Sequence, residues 1–229
     1  MTGDWLEDAT DQPELIVHVD GGQGLSSELI AAVGAVCDRA EDLGEGATVV
    51  VHASGVPESG WSAELTVAAV SKWERVLRRL ERLPVPSVAV ASGDCGGLAL
   101  DALLATDYRI AATPARLMLP VQDGAVWPGM ALYRIARQAP SAAAIRRAVL
   151  FGAALDSSEA AALNLVHDVA YDLSAALTTA LTLLGGISGA ELAVRRQLMF
   201  DAASVSFEDA LGVHLAAVDR TLRRAAAPS

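Results

Sequence analysis

"SGDCGGLALDALLATD", residues 92–107, decides how this chain is read. It follows "PVPSVAVA" (84–91), an apolar run bounded by Pro84 and Pro86 that reads as a buried strand. It opens on Gly93, Gly96 and Gly97, and "LALDALLA" (98–105) then reads as a short helix fit for burial, carrying one charge, Asp101. A strand, a glycine turn and a helix start together make an anion-stabilising geometry. The first backbone N–H groups of the helix have no internal acceptor, and the helix dipole adds positive potential. Gly96 and Gly97 let a ligand or another segment approach the backbone closely, so an oxygen gaining negative charge could be held there. Asp101 lies one turn beyond Leu98 on the same face and could move a proton on that substrate. Burial would raise its pKa, which suits a general acid or base. The other reading of Asp101 is structural: it caps, faces water, or pairs with an arginine such as Arg109.

Outward from this stretch the chain alternates. "ELIVHVD" (14–20) is strand-like and "GGQG" turns it. "SSELIAAVGAVCDRAEDLG" reads as a helix with Ser26 or Ser27 as N-cap and Gly44 past its end. "ATVVVHAS" is a second buried strand, "GVPESGWS" a loop, and "AELTVAAVSKWERVLRRLERL" a helix by the spacing of Leu65, Ala69, Trp73, Val76, Leu77 and Leu80. "DYRIAATPARLMLP" supplies two short strand-like pieces. The β-α-β-α-β-α order predicts an α/β fold with parallel strands and right-handed crossovers. From about residue 128 the pattern turns helical and stays so. The expected organisation is a flexible acidic lead over 1–12, an α/β core over 13–170, and a C-terminal helical region over 171–229 serving oligomerisation or pocket closure.

Composition excludes several classes. The chain has 229 residues, is 52% hydrophobic, and carries a formal net charge of −11, enough chain for a sizeable core and no basic tract for nucleic acid. Lys72 is the single lysine among 17 basic residues. Cys37 and Cys95 lack zinc-type spacing, so no metal site and two reduced thiols are expected. The N-terminus has no apolar signal region and no run of about 18 apolar residues occurs, which points to a cytoplasmic protein without a membrane partner. "GGQGLSS" half-matches a dinucleotide fingerprint, but Ser27 stands where the third glycine belongs and the second strand ends without an acid to hold a ribose. No GxSxG elbow or Walker loop is present. His18 and His52 fall in strand patterns and read as core or edge residues. Arg78, Arg79 and Arg82 read as a solvated helix face.

The stretch resembles the signature of the enoyl-CoA hydratase/isomerase, or crotonase, superfamily. That signature runs Pro-Val-x-Ala-x-x-Asn-Gly, three residues, Gly-Gly-Gly, x, Glu, then Asp six residues on. Laid without a gap, Pro86, Gly93, Gly97 and Asp107 match, Asp101 falls on the first catalytic glutamate, and Leu98 on the central glycine whose N–H forms half of the oxyanion hole. A leucine keeps that N–H. "YRIAATPARLMLP" follows the family's pattern to Pro120, and "WPGMALYRIAR" and "AVLFGAALDSSEAAALNLVHDV" are similar to two further family passages.

The resemblance implies a stack of ββα units with a helical C-terminal region, assembled as a homotrimer or hexamer. It also implies binding of an acyl-CoA thioester whose enolate is held by two backbone N–H groups, with no cofactor beyond the CoA of the substrate. The second donor would be the Trp61 N–H, after Gly60 in "PESGWSAE". Gly60, Gly96 and Gly97 would then line the substrate. The chain departs from the pattern where hydratases carry a second glutamate after Pro120: Val121 stands there, with Asp123 two residues on as a substitute catalytic acid. Among divergent branches the chain is similar to the small crotonase-like proteins of dihydroxyphenylglycine biosynthesis, which implies dehydration and aromatisation toward 3,5-dihydroxyphenylacetyl-CoA beside a type III polyketide synthase. The competing expectation is a non-catalytic acyl-CoA-binding partner of such a synthase.

Overall fold

The chain opens as β1 (Glu14–Asp20), α1 (Ser27–Leu43), β2 (Thr48–Gly55), α2 (Val67–Leu80), β3 (Ser87–Gly96) and α3 (Gly97–Leu104). It continues through β4 (Tyr108–Ala112), β5 (Arg116–Met118) and a hairpin of β6 (Val121–Gln122) and β7 (Ala125–Val126). Then come α4 (Met130–Gln138), α5 (Ala142–Phe151), β8 (Leu155–Asp156), α6 (Ser157–Ala162), β9 (Asp168–Ala170), α7 (Leu173–Leu184), α8 (Gly189–Asp201) and α9 (Phe207–Ala226). This computed structural model describes residues 14–44, 46–185 and 189–226; the acidic lead expected over 1–12 lies outside them.

Local chemistry sets the helix ends. The Ser26 hydroxyl accepts from the Leu29 N–H at 3.1 Å, and Gly44 ends α1 with φ +63°, a conformation that only glycine adopts freely. The Thr66 hydroxyl accepts from the Ala69 N–H, so α2 starts at Val67, later than the apolar spacing from Leu65 suggests. The arginine face of α2 is solvated, as its spacing predicts: Arg79 pairs across to Asp38 and Glu41 on α1.

β1, β2, β3, β4 and β9 lie side by side in that order, all parallel. Successive side chains of a strand leave by opposite faces. Val49, Val51, Ala53, Ala89 and Ala91 therefore enter the main core with Trp73, Leu77, Leu80, Leu100 and Leu103 from the helices. Val50, Val88, Val90 and Ile110 pack on the other face against Ala176, Leu177, Ala180 and Leu181 of α7. Coverage on both faces explains why β2 and β3 read as continuous apolar runs. His52 is buried and stacks on His18 of the neighbouring strand, ring centroids 4.8 Å apart.

Where a glycine turn is expected, residues 93–96 instead continue β3 and Gly97 begins α3. The first part of β3, Val88 to Ala91, pairs with Tyr108 to Ala111 of β4; its last part, Asp94 to Gly96, pairs with Arg116 to Met118 of β5. Gly93 lies between the two with φ +119°, which frees the strand to change partner. α3 thus starts directly from a central strand. At the other end of the chain, Arg196 of α8 is buried and donates twice to Asp107, at 2.8 and 2.6 Å, and also to the Leu83 and Val85 carbonyls. This ties the C-terminal helices to the edge from which β3 and β4 begin.

Candidate active site

α3 begins at a point of close backbone approach. A Cβ on Gly96 would lie 2.8 Å from the Met118 carbonyl oxygen, and one on Gly97 would lie 2.9 Å from Pro57 Cγ, with the Gly97 φ at +53°. Those two glycines thus serve the packing of the chain on itself. Leu98 is the second residue of α3, and an N–H at that position has no intrahelical acceptor. Asp101 follows one turn later on the same face, and both line one cavity.

The cavity measures about 40 Å³, a few times the roughly 10–15 Å³ that one water needs. Trp61, Trp73 and Trp127 line it together with Leu98, Asp101 and Glu74. Trp61 and Trp127 meet edge to face, centroids 5.1 Å apart at 74°. Such a lining suits a flat, apolar group, with a small number of polar groups to orient it.

Asp101 is the electrostatic focus. The Trp73 indole N–H donates to its Oδ2 at 3.3 Å. Burial raises the Asp101 pKa most, and the nearby charge of Glu74 raises it further; the Arg134 charge, the Trp73 N–H and the Ala131 backbone oppose them, and the group is pushed up to about 7. A carboxyl in that range holds or releases a proton at neutral pH, which is what proton transfer to carbon or oxygen requires. Behind it, Arg134 of α4 is 5% exposed and is gripped by Glu74 of α2 and Glu81 just past its end. Its Nη2 donates to Glu74 at 2.8 Å and its Nε to Glu81 at 2.7 Å, while Nη1 has no hydrogen-bond partner among the described residues.

The structure brings together four of the positions marked in the sequence: Leu98, Asp101, Trp61 and Gly97 all line the cavity. Gly96 is buried behind it, and Gly60 is exposed in the loop after β2, neither on its wall. Asp123 sits at the exposed tip of the β6–β7 hairpin with φ +51°, off the cavity wall, because the two-residue turn carries it away from the helix start. Val121 also faces away: a Cβ on Gly152 would lie 2.4 Å from its Cγ2, so its side chain covers the end of α5. The Trp61 N–H donates to the Glu58 carbonyl at 3.2 Å, so in this structure it closes a turn. Asp107 pairs with Arg196 and accepts from the Ser87 N–H at 2.9 Å, a structural post.

Sequence reasoning missed Trp73, Glu74, Arg134 and Trp127 as parts of the site. The available signal was on α2, where Glu74 flanks the buried stripe of Trp73, Val76, Leu77 and Leu80, and Glu81 stands seven residues on, just past the helix end. Charges at such positions are buried only when paired.

Comparison with known proteins assigns the class and then the family. The chain is 52% identical over 213 residues to an enoyl-CoA-hydratase of Amycolatopsis orientalis, covering 93% of this chain and 98% of that one. A 66-residue stretch is 44% identical to the fatty acid oxidation complex subunit alpha of Idiomarina loihiensis, 29% of this chain and 9% of that one. No family model matches. Among solved structures, the chain resembles an enoyl-CoA hydratase/isomerase from Marinobacter aquaeolei with TM-score 0.79 at 16% identity, covering 96% of this chain and 90% of the other. It also resembles an enoyl-CoA hydratase from Mycobacterium smegmatis with TM-score 0.76 at 17% identity, covering 94% and 89%. The fold is crotonase-like α/β with a helical C-terminal region. The chain belongs to the enoyl-CoA hydratase/isomerase (crotonase) superfamily.

Proposed function

We propose that the chain is a crotonase-fold lyase that removes water from an activated β-hydroxyacyl-CoA thioester. The observation that carries this is the cavity shared by Leu98, at the start of α3, and Asp101, one turn on. The thioester oxygen gains negative charge as the α-proton leaves, and the helix-start N–H of Leu98 is the donor that supports it. Asp101 exchanges a proton with the substrate, from a site whose apolar walls exclude water. The CoA belongs to the substrate, and the reaction needs no other cofactor. Three indoles in so small a cavity favour a planar product, which supports dehydration and aromatisation toward a dihydroxyphenylacetyl thioester as part of antibiotic biosynthesis in the cytoplasm. Exposed apolar residues on α9, among them Phe207, Val218 and Leu222, support self-association as a homotrimer or hexamer.

The second reading is a non-catalytic acyl-CoA-binding partner of a type III polyketide synthase. The hydrogen bond that engages the Trp61 N–H favours it, since one of the two expected oxyanion donors is then spent. Purified protein is tested with β-hydroxyacyl-CoA thioesters bearing aromatic or polyketide-like acyl groups. A lyase releases water, and Asp101→Asn lowers its turnover by about 10²-fold or more with the fold intact. Stimulation of the synthase by both wild type and Asp101→Asn, without turnover by either, establishes the partner.

A further inference from the structure

We propose that Glu74 is the second carboxylate of this active site, taking the α-proton of the thioester while Asp101 gives its proton to the departing hydroxyl. The proposal rests on the acyl-CoA reading above. Among the described residues lining the cavity, Glu74 and Asp101 are the two that carry a carboxylate. They come from different helices, α2 and α3, and so reach the cavity from different walls. The position after Pro120 supplies neither: Val121 covers α5 and Asp123 stands at the hairpin tip.

Their surroundings divide the roles. Glu74 lines the cavity and is held in place by an ion pair with Arg134 at 2.8 Å. The hydrogen-bond donors to Asp101 are neutral, the Trp73 indole N–H and the Ala131 backbone. The cluster of Asp101, Glu74 and Glu81 holds three acids against two guanidiniums, Arg134 and, pairing with Glu81 at 2.7 Å, Arg78, which leaves one acid in excess. A closely spaced group of like charges sheds part of its repulsion by keeping one proton, and the desolvated member is the one that keeps it. Asp101 is that member, and burial and Glu74 both push its pKa up.

The step balances without a co-reactant. Glu74 takes the α-proton, and the C–H electron pair becomes the enolate, its oxygen at the start of α3. The enolate pair then forms the α–β double bond as the Cβ–O bond breaks, and the oxygen leaves as water with the proton of Asp101. Glu74 now carries a proton and Asp101 does not; passage of that proton within the shared cavity restores the start.

The roles separate in an exchange measurement that requires no dehydration. Phenylacetyl-CoA is incubated in D2O and incorporation of deuterium at its α-carbon is followed by mass spectrometry, with water loss from a β-hydroxyacyl-CoA measured in parallel. Glu74→Gln is expected to lose α-exchange by about 10²-fold or more, and Asp101→Asn to keep exchange within about tenfold while losing dehydration. Glu81→Gln removes the neighbouring ion pair of Arg134, and that of Arg78, at a residue off the cavity wall, and it is expected to keep exchange while showing a comparable fall in melting temperature. Glu74→Asp, which keeps the charge, covers a misfolded glutamine variant and should retain measurable exchange. Exchange within about threefold of wild type in Glu74→Gln, or its equal loss in Glu81→Gln, overturns the role of Glu74 and leaves the lyase reading standing. Wild-type protein that neither exchanges nor dehydrates overturns both.

Discussion

The indole N–H of Trp73 donates to Asp101 Oδ2 at 3.3 Å, joining the core stripe of α2 to the acid of α3. Trp73 is 1% exposed, so the donor is fixed by packing. Trp73→Phe keeps most of the ring and removes the N–H. The bond favours the charged form of Asp101, so its loss moves the Asp101 pKa upward. With Asp101 acting as an acid, turnover falls as pH rises through about 7 in the wild type. In the variant that fall shifts to higher pH, by about half a unit to one unit for a net hydrogen bond of about 1 kcal/mol. A pH–rate profile checks it; an unmoved limb removes the bond from the account.

The same shift has a stability consequence. Asp101 has a folded pKa of about 7 against an ordinary value of 3.8, so folding favours its protonated form. The penalty is absent below about pH 4 and complete above about pH 7, so stability falls as pH rises across that window. Glu74, Arg134 and the buried Cys95 thiol share the surroundings of this group. Asp101→Asn removes the ionisation and should flatten this part of the profile, gaining on the order of a few kcal/mol relative to wild type at pH 8 over pH 4. Thermal unfolding across pH of both proteins measures the difference.

Val121→Glu restores the residue type that hydratases carry after this proline, yet the side chain points at Gly152. Hydration of an enoyl-CoA should therefore change by less than about threefold, because an acid out of hydrogen-bond reach of the substrate moves no proton. A gain of about 10²-fold in a kinetic assay would show that the hairpin turns inward when substrate binds.

Arg196→Ala removes the post between α8 and the start of β3 and β4. It leaves Asp107, 26% exposed, with the Ser87 contacts alone and strands the Leu83 and Val85 carbonyls. Breaking a buried pair from one side costs about 3–5 kcal/mol, and partial exposure of Asp107 places this variant near the low end. Denaturant unfolding reads the loss directly.

The α/β alternation was legible because buried parallel strands are uninterrupted apolar runs and because Ser26, Gly44 and Pro84 mark the ends. The start of the site was legible too: Leu98 and Asp101 are three apart on one helix, a relation that spacing alone fixes. What spacing could not show was the direction of loops. Asp123 and Val121 stand close to Pro120 in sequence, and a two-residue turn sends them away from the cavity. The glycines at 96 and 97 left room for a ligand or another segment; Met118 and Pro57 come close to them, and Gly97 also lines the cavity. Glu74 and Arg134 are 60 residues apart and meet through helix packing, which leaves no local trace beyond a charge beside an apolar stripe.

β3 changes partner at Gly93 and runs straight into α3, so Leu98 and Asp101 are anchored on the interior of the sheet. Trp61 and Trp127, which line the same cavity, stand on the segments after β2 and after β7. Side chains on the two tryptophan-bearing segments can therefore be replaced without disturbing the β3–α3 junction that places Leu98 beside Asp101.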